Sequence, residues 1–264
     1  MFRTRLISGI VLVVIALATI ISGGIVLWAT LLGLSIIGLG EVYRAMGLHK
    51  EKFCSIEIAG YLSLFVYYIT LLFDWNKYNL AAILAGLVLL MAVYVFSYPK
   101  YKAEEIMAAF FGVIYVAIML SFVYQTRMLE PKGVYMVWLI FLCSWGCDTC
   151  AYCVGVLIGK HKMAPILSPK KSIEGAIGGF VGAMLLGYLY GFLTKGMPWQ
   201  YALICGAGAL ISMVGDLAAS AIKRDKQIKD YGKLIPGHGG ILDRFDSVIF
   251  TAPIIYYLAS LFLK

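Results

Sequence analysis

Nine stretches of about 20 mostly apolar residues, each the length that crosses the hydrocarbon core as a helix, dominate this 264-residue chain. They run 5–22, 24–43, 55–73, 79–98, 106–124, 133–158, 173–194, 198–222 and 241–263. The first two are parted only by Ser22-Gly23-Gly24, a tight-turn signal. The first follows Met-Phe-Arg-Thr-Arg, as a signal peptide would. It lacks a small-residue cleavage site before a polar domain, so it is read as a retained span. Composition agrees: 62% of residues are apolar and 14% charged, against roughly a quarter charged in soluble domains. That excludes a soluble globular enzyme, a disordered chain and a disulfide scaffold, and predicts an all-α polytopic membrane protein.

Charge orients the spans. With nine crossings, the N-terminus and the loops after even-numbered spans carry sixteen Lys and Arg residues. The opposite side carries five (Lys77, Arg127, Lys132, Lys195 and Lys264), and Arg244 falls inside the ninth stretch. The positive-inside rule puts the N-terminus in the cytoplasm and the C-terminus outside. Two regions are expected: 1–130, five spans without a nameable motif, and 131–264, four spans with the cytoplasmic loops 159–172 and 223–240. Gly175, Gly179, Ala183, Gly187 and Gly191 place a small residue at every fourth position of the seventh span, a stripe that lets backbones approach. Packing within the subunit is the commoner use of such a stripe and a subunit contact the sharper one; a homodimer is the assembly expected. Cys147-x-x-Cys150-x-x-Cys153 invites a metal reading, but no second Cys/His cluster accompanies it, and buried Cys packs as a small hydrophobe.

Ionisable groups within spans mark function by default. Here they are Glu41, Asp148, Asp216, Asp243, Arg244 and Asp246, with Glu174 at an edge. Asp216 and Ser220 share one helix face at i and i+4, followed by Lys223 and Arg224, and Asp243 and Asp246 open the last span at i and i+3. Three carboxylates brought together repel unless a cation lies between them, and hard oxygen donors suit Mg²⁺ with substrate phosphates. Basic residues beside them would hold the phosphates, which reads as phosphoryl-type chemistry on a lipid. Mutually neutralising salt bridges are the plainer account of any one residue, but not of the whole set on both sides of one loop. Ser168-Pro169-Lys170-Lys171-Ser172 precedes the seventh span as an N-cap with anion-binding lysines, or as topology-setting charge. Asp148, Thr149 and Tyr152 form a third polar group, with a relay and an inter-helix hydrogen bond both open.

Residues 220–246 read SAIKRDKQIKDYGKLIPGHGGILDRFD. This resembles the signature of the phosphatidate cytidylyltransferases (CDP-diacylglycerol synthases), matching at Ser220, Lys223, Arg224, Lys229, Asp230, Gly232, Pro236, His238, Gly239, Gly240, Asp243, Arg244 and Asp246. Asp148-x-x-Ala151-Tyr152, Ser168 to Gly175 and Gly215-Asp216 resemble the family's upstream elements. The resemblance implies CTP + phosphatidate → CDP-diacylglycerol + diphosphate, in phospholipid biosynthesis at the cell membrane, with the active site on the cytoplasmic side. The partners implied are CTP, phosphatidate and the bilayer, without nucleic acid. Asp216, Asp243 and Asp246 would hold Mg²⁺, alone or with a second cation. Lys223, Arg224 and Arg244 would bind phosphates, and Lys170 and Lys171 the second phosphate-bearing substrate. Ser220, Ser172, Lys229, Gly239 and Gly240 complete the expected substrate site. His238 either donates to the leaving diphosphate or shapes the loop. A transporter would need two similar halves, which are lacking. A CDP-alcohol phosphotransferase would need D-G-x-x-A-R, also lacking; a polyprenol kinase is more distant, and a scaffold leaves the carboxylates unexplained.

Overall fold

At Gly23 the backbone takes φ +62°, a conformation that costs a side chain-bearing residue more than glycine, and the first apolar run breaks there into two helices. The computed structural model describes residues 2–49, 54–237 and 239–262, and side chains from Ser8 onward. His238, Lys50, Lys52 and Lys264 lie outside the described residues, as do the side chains of Arg3 and Arg5.

Nine helices occur among the described residues: α1 (Phe2–Ser22), α2 (Gly24–Ala45), α3 (Ser55–Leu72), α4 (Asn79–Phe96), α5 (Ala103–Arg127), α6 (Gly133–Ile158), α7 (Ile173–Leu193), α8 (Pro198–Asp225) and α9 (Leu242–Phe262). Eight are long and apolar enough to cross a membrane, and α1 adds the shorter apolar stretch Ser8–Ser22. The chain is an all-α polytopic membrane protein. Its one β-sheet, among the described residues, is a small antiparallel hairpin, β1 (Lys162–Ala164) with β2 (Ser168–Ser172). The segment expected as a plain N-cap region is therefore a strand whose last residue, Ser172, caps α7 by accepting from the Gly175 N–H at 3.1 Å.

Two helices carry a π turn, Val113–Ile118 in α5 and Leu142–Gly146 in α6. One extra residue in a turn rotates everything beyond it by about 100° around the axis. Asp148 follows the second of these turns by two residues.

The chain forms two compact units, residues 1–124 with 228–244, and residues 125–227 with 245–264. In the first, Leu39, Tyr43, Ile56, Leu64, Tyr68 and Leu90 are fully buried. Hydrocarbon offers no water, so its buried polar groups bond to one another. Ser35 Oγ and Tyr68 OH are 2.7 Å apart, Tyr43 OH donates to the Ala109 carbonyl at 3.1 Å, and Tyr67 OH meets Ser121 Oγ at 3.1 Å.

In the second unit the small-residue stripe of α7 is spent on its two neighbours. A Cβ on Gly179 would lie 2.9 Å from the Cys147 carbonyl of α6, and one on Gly187 2.6 Å from the Tyr201 carbonyl of α8. Gly191 meets the Pro198 backbone in the same way. The stripe is an internal packing surface and carries no argument for a homodimer. Cys147 and Cys150 pack against this face, at Gly179 and Gly182. Trp145, in the π turn of α6, meets Phe245 of α9 edge-on at 6.1 Å.

Candidate active site

Two polar clusters occupy the positions that the signature marks, one in each unit. In the first, the chain leaving α8 folds back on itself, with Ile235 N–H donating to the Gly239 carbonyl at 2.9 Å. Gly239 takes φ +86°, and a Cβ there would lie 2.7 Å from Asp243 Oδ2, so glycine is required for both conformation and space. Asp243 is 7% exposed, and its Oδ2 accepts from the N–H groups of Tyr231 (2.8 Å) and Gly240 (2.9 Å). One carboxylate oxygen thus ties the start of the loop to its end. Removing it in Asp243→Ala is expected to lower stability by about 3 kcal/mol, since two backbone donors lose their buried acceptor. Thermal unfolding in detergent would measure this.

Opposite Asp243, α2 contributes Glu41, fully buried, whose two oxygens accept from Ile241 N–H (3.0 Å) and Leu242 N–H (2.9 Å) at the head of α9. Ser8 of α1 donates to the Pro236 carbonyl at 3.2 Å. The loop so held walls a cavity of ≈ 330 Å³ lined by Lys229, Asp230, Gly232, Lys233, Ile235, Pro236, Gly237, Gly239 and Arg244. Three cations and one carboxylate line it, and Lys229, Lys233 and Arg244 are exposed. Backbone turned by glycines, with lysine and arginine around it, is a setting for phosphate oxygens.

The second cluster lies where α6, α8 and α9 bring acids together. Lys171, at the end of β2, forms an ion pair with Asp216 of α8, both half-buried. Ser247 Oγ donates to Asp148 Oδ2 at 3.4 Å, which makes an inter-helix hydrogen bond of the polar residue left open above. Asp246 accepts from its neighbour Ser247 N–H at 2.8 Å and lies within electrostatic reach of Asp216, Lys223 and Asp148. Ser220 is half-buried one turn beyond Asp216, Lys223 is half-buried, and Arg224 is exposed at the end of α8. Lys170 is exposed on the hairpin. Glu174 accepts from Lys160 N–H (3.0 Å) and contacts His161 Nδ1 at 2.6 Å, so it secures the hairpin.

Of the expected metal ligands, Asp216 and Asp246 belong to the second cluster, and Asp243 is described with the first. Among the described residues no group of three or more His, Cys, Asp or Glu side chains stands ready to hold a metal ion. Mg²⁺ does not require one, because it takes one or two carboxylates and completes its shell with water and substrate phosphates. Asp216 and Asp246, hard donors at one place, fit that chemistry. Glu41 was legible only as an out-of-place acid; its partners lie 200 and 201 residues away, and nothing local announces them.

Comparison with known proteins places these clusters in a family. A model of the cytidylyltransferase family matches residues 3–262. The chain is 30% identical over 263 residues to the phosphatidate cytidylyltransferase of Staphylococcus saprophyticus, covering 97% of this chain and 98% of that one. It is 32% identical over 263 residues to that of Staphylococcus epidermidis, with the same coverage, and 29% over 269 residues to that of Bacillus subtilis, covering 98% of each. Because the match runs from the first helix to the last and takes in both polar clusters, the chain belongs to the cytidylyltransferase family.

Proposed function

We propose that this membrane nucleotidyltransferase makes CDP-diacylglycerol, by the reaction CTP + phosphatidate → CDP-diacylglycerol + diphosphate. The reaction is proposed to need Mg²⁺, alone or with a second cation. It takes place at the cell membrane, on the cytoplasmic side, with the N-terminus inside and, after nine crossings, the C-terminus outside. The observation that carries the reading is the glycine-walled, basic cavity of 228–244 in a chain that also brings Asp216 within electrostatic reach of Asp246. Family membership and the names of the relatives support it.

A phosphatidate phosphate oxygen attacks the α-phosphorus of CTP. A P–O–P linkage forms to the lipid, the bond between the α-phosphorus and its bridging oxygen breaks, and diphosphate leaves with that electron pair. The nucleophile is already anionic, so no general base is needed, and catalysis is positioning and charge neutralisation. Lys229, Lys233 and Arg244 take the triphosphate of CTP in the cavity they line. Gly239 and Gly240 leave the backbone bare around it, and His238 either donates to the departing diphosphate or shapes the turn. Lys223, Arg224 and Ser220 supply donors at the end of α8. Lys170 and Lys171 meet the lipid phosphate beside the Ser172-capped head of α7, since a helix start favours an anion. Asp216 and Asp246 would hold Mg²⁺, with Asp243 as the third carboxylate of the set. When bound, the cation supplies positive charge against the phosphates being transferred.

Purified protein in detergent is expected to consume CTP only when phosphatidate is present, releasing one diphosphate per CDP-diacylglycerol, and to stop when a chelator withdraws Mg²⁺. Consumption without the lipid would overturn the reading; consumption that persists in chelator would remove the metal from it.

A further inference from the structure

Glu41 sits on a helix outside every motif the sequence carries, yet it holds the motif-bearing loop. It is fully buried, and each of its oxygens accepts one N–H, from Ile241 and from Leu242. Those two groups are among the donors that a helix start leaves without an intrahelical partner. The head of α9 is therefore capped from another helix rather than by its own preceding residue. The same carboxylate presses on the loop at two further points. A Cβ on Gly240 would lie 2.6 Å from Glu41 Oε2, and one on Gly232 would lie 3.0 Å from its carboxyl carbon. Gly232 and Gly240 are themselves 3.2 Å apart by the same measure, so both strands of the loop close over one acid. Asp243 ties Tyr231 to Gly240 from the other side.

We propose that Glu41 is the positioning residue of the site, a clamp that fixes the loop 228–240 and the first turn of α9 so that Lys229, Lys233 and Arg244 face one cavity. It touches no substrate and acts through the backbone it holds. The requirement is for two acceptors at a set spacing. Glutamine keeps the shape but turns an NH₂ donor against a backbone N–H, and aspartate keeps both acceptors on a stem one carbon shorter. The assignment of a catalytic consequence rests on the cytidylyl-transfer reading above.

The test compares wild type, Glu41→Gln and Glu41→Asp in detergent, by kinetics and by limited trypsin digestion. Glu41→Gln is expected to lower kcat/KM for CTP about a hundredfold, with a raised KM for CTP and an unchanged KM for phosphatidate, as a misplacement of the binding groups implies. Glu41→Asp is expected to recover part of that loss. Trypsin is expected to cut Glu41→Gln after Lys229 or Lys233 about tenfold faster than wild type, while cutting after exposed Lys195 keeps its rate. A fall in kcat with both KM values unchanged and cutting accelerated everywhere means general unfolding, and overturns the proposal. So does wild-type behaviour of Glu41→Gln. If wild type itself fails to turn over CTP with phosphatidate, the functional reading falls, and the clamp stands or falls on the loop-selective cutting alone.

Discussion

Asp246→Asn is expected to lower turnover of CTP with phosphatidate by at least about a thousandfold, some 4 kcal/mol of transition-state stabilisation. The substitution is nearly isosteric, and its amide oxygen can still accept from Ser247 N–H, the bond made by Asp246 at 2.8 Å. What disappears is a negative charge placed among Asp216 and Asp148 with Lys223 nearby. Such a grouping is self-repelling in the bare protein, so removing one member should leave thermal stability unchanged or raise it. Activity and stability are thus expected to move in opposite directions, the pattern of a functional rather than a structural charge. Turnover within tenfold of wild type, or a lower unfolding temperature, would dismiss Asp246 as a cation ligand.

The second large effect is on folding. Gly187→Leu is expected to lower stability by at least about 3 kcal/mol, because the added Cβ would sit 2.6 Å from the Tyr201 carbonyl and 2.9 Å from Cys205 Cβ. The Tyr201 oxygen is backbone in the first turn of α8 and cannot step aside as a flexible side-chain end could. Only separation of α7 from α8 relieves the clash, and small-residue contacts of this kind are what hold helices together where lipid is the solvent. The readout is the yield of monodisperse protein and its unfolding temperature. A change at Gly33, where a Cβ meets nothing within 4 Å, serves as the comparison and should leave both nearly untouched.

The helices were legible because apolar length is a strong signal. Span six was expected at 133–158 and is found at Gly133–Ile158, and the seven other helices long and apolar enough to cross agree with their expected spans to within a few residues. The first expected span, 5–22, lies instead in a helix whose described apolar stretch is the shorter Ser8–Ser22. The hairpin was not, since Lys162–Ala164 and Ser168–Ser172 are too short and too rich in lysine and proline to show alternation. Nor were the π turns, which leave no mark in hydrophobic periodicity. At the site, spacing located Asp216, Asp243 and Asp246 but not what each one touches. Asp243 bonds to Tyr231 and Gly240 through loop closure, and Asp216 pairs with a lysine 45 residues earlier. Glu41 is the extreme case, because its meaning depends on two N–H groups at the far end of the chain.

That distance has a consequence for biogenesis. The ribosome delivers Glu41 early and its partners 200 residues later, an interval of about 10–40 s at ordinary bacterial-to-eukaryotic synthesis rates. Throughout it, the second helix must hold an acid in an apolar setting with its eventual hydrogen-bond donors still untranslated. Until Ile241 and Leu242 are made, the first five helices therefore form an unfinished body whose buried acid lacks these two hydrogen-bond partners.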